Sequence, residues 1–192
     1  MRLTALAHEL LAPHLRPGDL AADATAGNGH DTLFLAVAVG ASGRVWAFDI
    51  QPRALDATRR RLEKNGVAGR FALVCDTNAN LAAHLPPEAC GTLAVVMANL
   101  GYLPGGDSAV ITHTGETLRM LDAALHALRA GGVLSVLAYP GHEGGDAEAG
   151  AVHAWMIARA AEGHTVELRG DPLAPERRPW LALLTKAPSN AR

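Results

Sequence analysis

Apolar runs of strand length alternate with longer stretches of helical period from Asp19 onward, the pattern of a parallel sheet covered by helices on both faces. Ahead of it, Leu3, Leu6, Ala7 and Leu10 put one apolar face on an opening helix, about residues 2–12, that Pro13 and the Pro17-Gly18 turn bring to an end. The pattern predicts a first strand from Asp19 to Asp23, a helix from His30 to Val39 and a second strand from Arg44 to Asp49. Pro52 opens a helix that stops at Asn65-Gly66, a left-handed cap signal, before a strand from Phe71 to Cys75. Asn80 to His84 reads as a short helix, Thr92 to Ala98 as the fourth strand, Thr117 to Ala130 as a helix stopped by Gly131-Gly132, and Val133 to Tyr139 as the fifth strand. A helix from Ala147 to Glu162 and strands from Thr165 to Leu168 and Trp180 to Thr185 complete the set. The expected fold is α/β: a doubly wound, Rossmann-like, seven-stranded sheet, mostly parallel, whose antiparallel last strand slips between its neighbours. It fills residues 1–187 as a single domain, with 188–192 a frayed tail.

Composition narrows the class. With 192 residues, 49% of them hydrophobic and 19% charged, the chain has enough apolar material for one self-sufficient core. Seventeen basic against nineteen acidic side chains leave a net charge of −2, so a nucleic-acid partner has to be read from local patches. Cys75 and Cys90 are too few for a disulfide framework or a four-cysteine zinc site, which points to a reducing compartment. No run approaches the length of a membrane span, and the expectation is a soluble, cytoplasmic protein without membrane contact.

The loop Asp23-Ala24-Thr25-Ala26-Gly27-Asn28-Gly29-His30-Asp31-Thr32 joins the first strand to a helix, and its two glycines let the backbone turn tightly against a ligand. A dinucleotide fingerprint would need a third glycine where Thr32 stands. Instead, acids end three successive strands. Asp23 can face the ammonium of a methionine moiety, Asp49 can accept both ribose hydroxyls, and Asp76 can take the adenine amino group. This set favours a cationic adenosyl ligand, S-adenosylmethionine, over NAD, because Asp49 alone serves both.

The loop Asn99-Leu100-Gly101-Tyr102-Leu103-Pro104-Gly105-Gly106-Asp107 follows the fourth strand and reaches the same sheet edge, where a substrate would enter. Amino-group methyltransferases place an Asn or Asp, two small or proline residues and an aromatic here, and Asn99-Leu100-Gly101-Tyr102 is similar to that pattern. The carbonyl of Asn99 can hold a target nitrogen, and Tyr102 can stack on a base.

Together the segment from Asp23 to Thr32, Phe48-Asp49-Ile50-Gln51, Asn99 to Asp107, and Gly141-His142 with Gly145 and Glu148 resemble the YtqB-like family, long labelled rRNA methylases. The resemblance spans essentially the whole chain and implies the class I methyltransferase fold. It also implies a tRNA methyltransferase that uses S-adenosylmethionine, releases S-adenosylhomocysteine, and converts wobble 5-aminomethyl-2-thiouridine to its 5-methylaminomethyl form. The cofactor contacts so implied are Asp23, Thr25, Gly27, Asn28, Gly29, His30, Asp31 and Thr32, then Asp49, Gln51, Asp76, Asn99 and Leu100. Substrate contacts are expected from Tyr102, Gly105 and Asp107, and from Arg177, Arg178 and Trp180 beside the last strand. The partner is then the anticodon arm of a tRNA, with a homodimer compatible and no metal required.

Displacement at a sulfonium needs alignment and exclusion of water rather than a covalent intermediate. Asn99 takes the orienting role, and His142 and His113 are the candidate proton acceptors. His142-Glu143 is no zinc-protease helix, since Asp146 stands four residues on in a glycine-rich segment. His8, His84, His126 and His164 read as surface or capping residues, and the run Arg59 to Lys64 as a solvated helix face. An N-methyltransferase acting on rRNA or a small amine shares these motifs. An NAD-dependent oxidoreductase and a non-catalytic cofactor-binding module are the readings from other classes.

Overall fold

The computed structural model describes residues 2–67, 69–101, 114–141 and 144–188. Among these residues, seven strands form one sheet: β1 (Leu20–Asp23), β2 (Arg44–Phe48), β3 (Phe71–Val74), β4 (Leu93–Asn99), β5 (Leu128–Ala138), β6 (Thr165–Arg169) and β7 (Trp180–Thr185). Their order is β3-β2-β1-β4-β5-β7-β6. The first five run parallel, while β7 lies antiparallel between β5 and β6, as the sequence predicts. The direction in which strands are added across the sheet reverses between β1 and β4, so a crevice opens beyond their carboxyl ends.

Among the described residues, six α-helices cover the sheet: α1 (Leu3–Leu11), α2 (His30–Ala38), α3 (Pro52–Lys64), α4 (Leu81–His84), α5 (Thr114–Ala127) and α6 (Gly145–Ala161). Alternate strand residues feed two cores, because successive side chains of a strand leave opposite faces. Ala21, Val45, Val95, Met97 and Val133 pack with Ala7 and Leu11 of α1, Leu35 of α2 and Leu62 of α3. Ala22, Phe48, Val96, Leu134 and Trp180 pack with Met120 and Leu121 of α5 and Val152 and Met156 of α6. No helix among the described residues is long and apolar enough to cross a membrane.

The expected helix to Ala130 ends instead at Ala127, and β5 begins before the two glycines rather than after them. Gly131 takes φ +73°, and a Cβ on Gly132 would sit 2.8 Å from the Leu93 carbonyl. The pair is an irregularity inside the strand, where pairing jumps from Leu93 with Leu128 to Val95 with Val133. Lys186 pairs with both glycines through its backbone, at 2.9 Å each.

Candidate active site

The loops that follow β1 to β5 converge with α1 on a cavity of about 590 Å³. Its walls are Ala24 to Asn28, His30 and Asp31 after β1, Phe48 to Gln51 around the end of β2, Asp76 to Asn78 after β3, Asn99 to Gly101 after β4, and Tyr139 after β5. Arg2, Thr4, Ala5 and His8 close it from the helix ahead of the sheet, and Glu116 from α5.

The first loop is held from below. The Asp23 carboxylate accepts the Thr25 N–H at 3.0 Å and the Thr32 hydroxyl at 2.6 Å. Asp23 and Thr32 are both 0% exposed, and neither lines the cavity. Asp23, expected to face a ligand ammonium, thus lies behind the wall, each of its oxygens taking one donor that shapes the loop. Burial pushes the Asp23 carboxyl up to about 7, the charge of Asp31 adds to the rise, and the two hydrogen bonds oppose it.

Gly29, at φ +75°, also stands behind the wall, where a Cβ would lie 2.8 Å from Thr58 Cα of α3. It brings α2 and α3 into close approach. The same helix secures the loop further, as Thr58 donates to the Gly27 carbonyl at 3.1 Å and Arg61 Nε to the Asn28 carbonyl at 2.6 Å. Arg61 therefore departs from the solvated face expected of its basic run. Its charge helps hold the neighbouring His30 below the usual histidine range, after the larger effect of desolvation.

Asp49 lines the wall with each oxygen fixed by one backbone N–H, from Gly27 at 3.0 Å and from Gln51 at 2.9 Å. A carboxylate with its orientation set and lone pairs to spare suits a vicinal diol. Gln51 Oε1 accepts from Arg53 at 2.8 Å. Asp76 accepts the Thr77 N–H at 2.7 Å, Asn80 Nδ2 at 3.0 Å and His84 Nε2 at 2.7 Å. The hydrogen bond from His84 is the main reason its carboxyl lies below the usual carboxylate range.

Asn99 ends β4, and its N–H donates to Thr25 Oγ1 at 2.7 Å. Its side-chain amide donates to Asp31 Oδ2. A carboxylate only accepts, so this bond fixes which end of the carboxamide is which and leaves the carbonyl free for another donor. Asp31, in the first turn of α2 and 6% exposed, receives His8 Nε2 on its other oxygen at 2.5 Å. The His8 ring stacks on Phe34 with centroids 4.1 Å apart and planes 4° apart. Leu100 lines the cavity with its N–H on the Leu137 carbonyl at 2.8 Å. Burial, then the charge of Asp31, push the Tyr139 phenol above its ordinary range.

His8 is thus part of the site, against the surface or capping role expected of it, whereas His84 is exposed at the end of α4, as expected, and reaches the site only through Asp76. No short sequence spacing ties residue 8 to 31. The visible signal is an imidazole flanking an apolar helical stripe. Trp180 is corrected in the other direction: it is 0% exposed in the core and cannot border a ligand. Arg178 is exposed, and Arg177, at φ +50°, reaches Asp146 at 2.9 Å beside Gly141. Tyr102, Gly105, Asp107, His113 and His142 lie outside the described residues.

Residues 45–169 match the family model described as "Putative rRNA methylase". The chain is 36% identical over 163 residues to an Arabidopsis thaliana protein named tRNA (mnm(5)s(2)U34)-methyltransferase, chloroplastic, in a match covering 80% of this chain and 58% of that one. It therefore spans less than two thirds of that relative's length. A "putative rRNA-methylase" from Clostridium thermocellum superposes with a TM-score of 0.88 at 32% identity, covering 95% of this chain and 96% of that one. A "putative methyltransferase" from Streptococcus mutans in complex with SAH superposes at 0.82 and 31% identity, covering 96% and 97%. The chain belongs to the "Putative rRNA methylase" family, whose fold is that of the class I S-adenosylmethionine-dependent methyltransferases.

Proposed function

We propose that the protein is an S-adenosylmethionine-dependent tRNA methyltransferase that converts 5-aminomethyl-(2-thio)uridine at wobble position 34 into its 5-methylaminomethyl form. The observation that carries this reading is the 36% identity, across 80% of this chain, to a plant relative bearing that name. The donor set supports the cofactor. Asp49, held by two backbone N–H groups, would take the ribose diol, the loop from Thr25 to Asn28 the methionine portion, and Asp76 to Asn78 the adenine edge.

Bound there, S-adenosylmethionine supplies a methyl group on a sulfonium. The chain's own work is to orient the acceptor and exclude water, effects together worth ~7 kcal/mol or more. An aliphatic amine with a pKa near ~10 is neutral in only about one molecule in a thousand at pH 7, a deficit of roughly 4 kcal/mol. Desolvation in the cavity and the nearby sulfonium both favour the neutral amine. The Asn99 carbonyl accepts an amine N–H without adding a charge that would hold the ammonium. Arg177 and Arg178 would meet anticodon-arm phosphates.

Labelled donor incubated with tRNA bearing 5-aminomethyl-2-thiouridine, with unmodified transcript and with ribosomal RNA tests the reading. Label is expected in the first alone. Label confined to ribosomal RNA would replace the wobble substrate with the one the family description names.

A further inference from the structure

His8 sits on α1, a helix that precedes the sheet and its cofactor loops, yet it belongs to an unbroken chain of contacts that ends at the acceptor site. Its Nε2 meets Asp31 Oδ1 at 2.5 Å, and the other oxygen of Asp31 receives the Asn99 carboxamide. His8, Asp31 and Asn99 all face the cavity. Phe34, one turn beyond Asp31 on α2, stacks flat on the imidazole and fixes its plane. We propose that His8 is a positioning residue: its Nε2–H occupies Asp31, so that this carboxylate orients Asn99 instead of capturing the substrate ammonium. The inference rests on the amine-methylating reading above.

The reasoning is electrostatic. A free carboxylate in a water-poor cavity stabilises an ammonium, the form with no lone pair to donate. Asp31 is nearly buried and must be present, because it sets the direction of the Asn99 amide. A donor on each of its oxygens weakens its pull on an ammonium and leaves the Asn99 carbonyl, which is neutral, as the group the amine meets. The other titratable groups that feel the Asp31 charge are Asp23 beneath the loop, His30 on α2 and Tyr139 after β5, while Arg2, Asp49, Asp76 and Glu116 line the same cavity.

The test compares wild type, His8→Ala and His8→Gln, whose amide N–H can replace Nε2–H on Asp31. Single-turnover transfer to the aminomethyl tRNA is followed from pH 6 to 9, with S-adenosylhomocysteine affinity measured by calorimetry. In His8→Ala, kcat is expected to fall at least tenfold near neutral pH and its acid limb to move up by about one pH unit. KM for tRNA and affinity for S-adenosylhomocysteine should stay within twofold. His8→Gln should recover most of the rate and return the acid limb. A His8→Ala profile of unchanged position, or a His8→Gln enzyme as impaired as His8→Ala, overturns the inference while leaving the reaction intact. Wild type inactive on aminomethyl tRNA but binding S-adenosylhomocysteine overturns the substrate reading, and this role for His8 with it.

Discussion

Asp49 and Asp23 are both strand-end acids, yet their environments give them opposite work. Asp49 is fixed on the cavity wall by two N–H donors. Replacing it with alanine removes the two hydrogen bonds of a diol to a charged acceptor, each worth about 1.5–3 kcal/mol, and S-adenosylhomocysteine affinity should fall by about a hundredfold or more in calorimetry. Asp23 is sealed beneath the loop with its pKa raised from 3.8 to about 7. A carboxyl that binds its proton more tightly when folded stabilises the protein fully below its unfolded pKa, and this contribution is lost as pH rises through the folded value. Its share of the stability therefore declines between about pH 4 and 7, by at most about 1.4 kcal/mol per pH unit. The Asp23→Asn protein should gain in melting temperature relative to wild type as pH rises from 5 to 8. A constant difference would show that Asp23 does not titrate there. The acids themselves were legible in the sequence, since each ends an apolar strand. Which of them reaches the cavity wall was not, because that depends on Thr32 and Thr25 folding back over Asp23.

The glycines separate at the scale of elements. Gly29 and Gly66 share nearly the same φ, at +75° and +70°, but a Cβ on Gly29 would collide with Thr58 while one on Gly66 meets nothing within 4 Å. Gly66→Ala should cost only the left-handed strain, about 1–2 kcal/mol, whereas Gly29→Ala adds overpacking between α2 and α3 for a total of about 3 kcal/mol or more. Urea unfolding of the two variants checks the order. Gly29→Ala should also weaken S-adenosylhomocysteine binding, because the loop from Gly27 is tied to the same helix. Sequence periodicity located every strand but misplaced the start of β5. Gly131-Gly132 resembles a helix stop, and only the nearby Leu93 carbonyl and the Lys186 backbone turn it into a bend within a strand. Trp180 misled for a related reason. Next to Arg177 and Arg178 it looks like a stacking platform, yet the unbroken apolar run of β7 already suited a strand flanked on both sides and buried on both faces.

For the whole molecule, a net charge of −2 coexists with an acid-lined cavity and exposed arginines near β7. If Arg178 meets a phosphate of the anticodon loop, tRNA affinity should fall as salt rises, and Arg178→Ala should flatten the logarithmic salt slope by about 0.7. An unchanged slope in filter-binding titrations would remove that contact. Family membership and the antiparallel seat of the last strand follow from patterns spread over the chain, so they could be read before the structure, whereas the full strand order comes from the structure. The link between α1 and the cavity could not, because it joins segments that only packing brings together. The antiparallel seat of β7 bears on how the protein is made. Among the described strands, β6 has only β7 as a neighbour and β5 has no outer neighbour until β7 arrives. On the ribosome, β5 therefore emerges with an open, apolar edge, and β6 cannot cover it. Only after Thr185 has cleared the exit tunnel can the hairpin add as a unit, a delay on the order of seconds during which the nascent sheet is open to pairing with neighbours. Chaperone engagement during translation should accordingly peak between synthesis of β5 and release of β7.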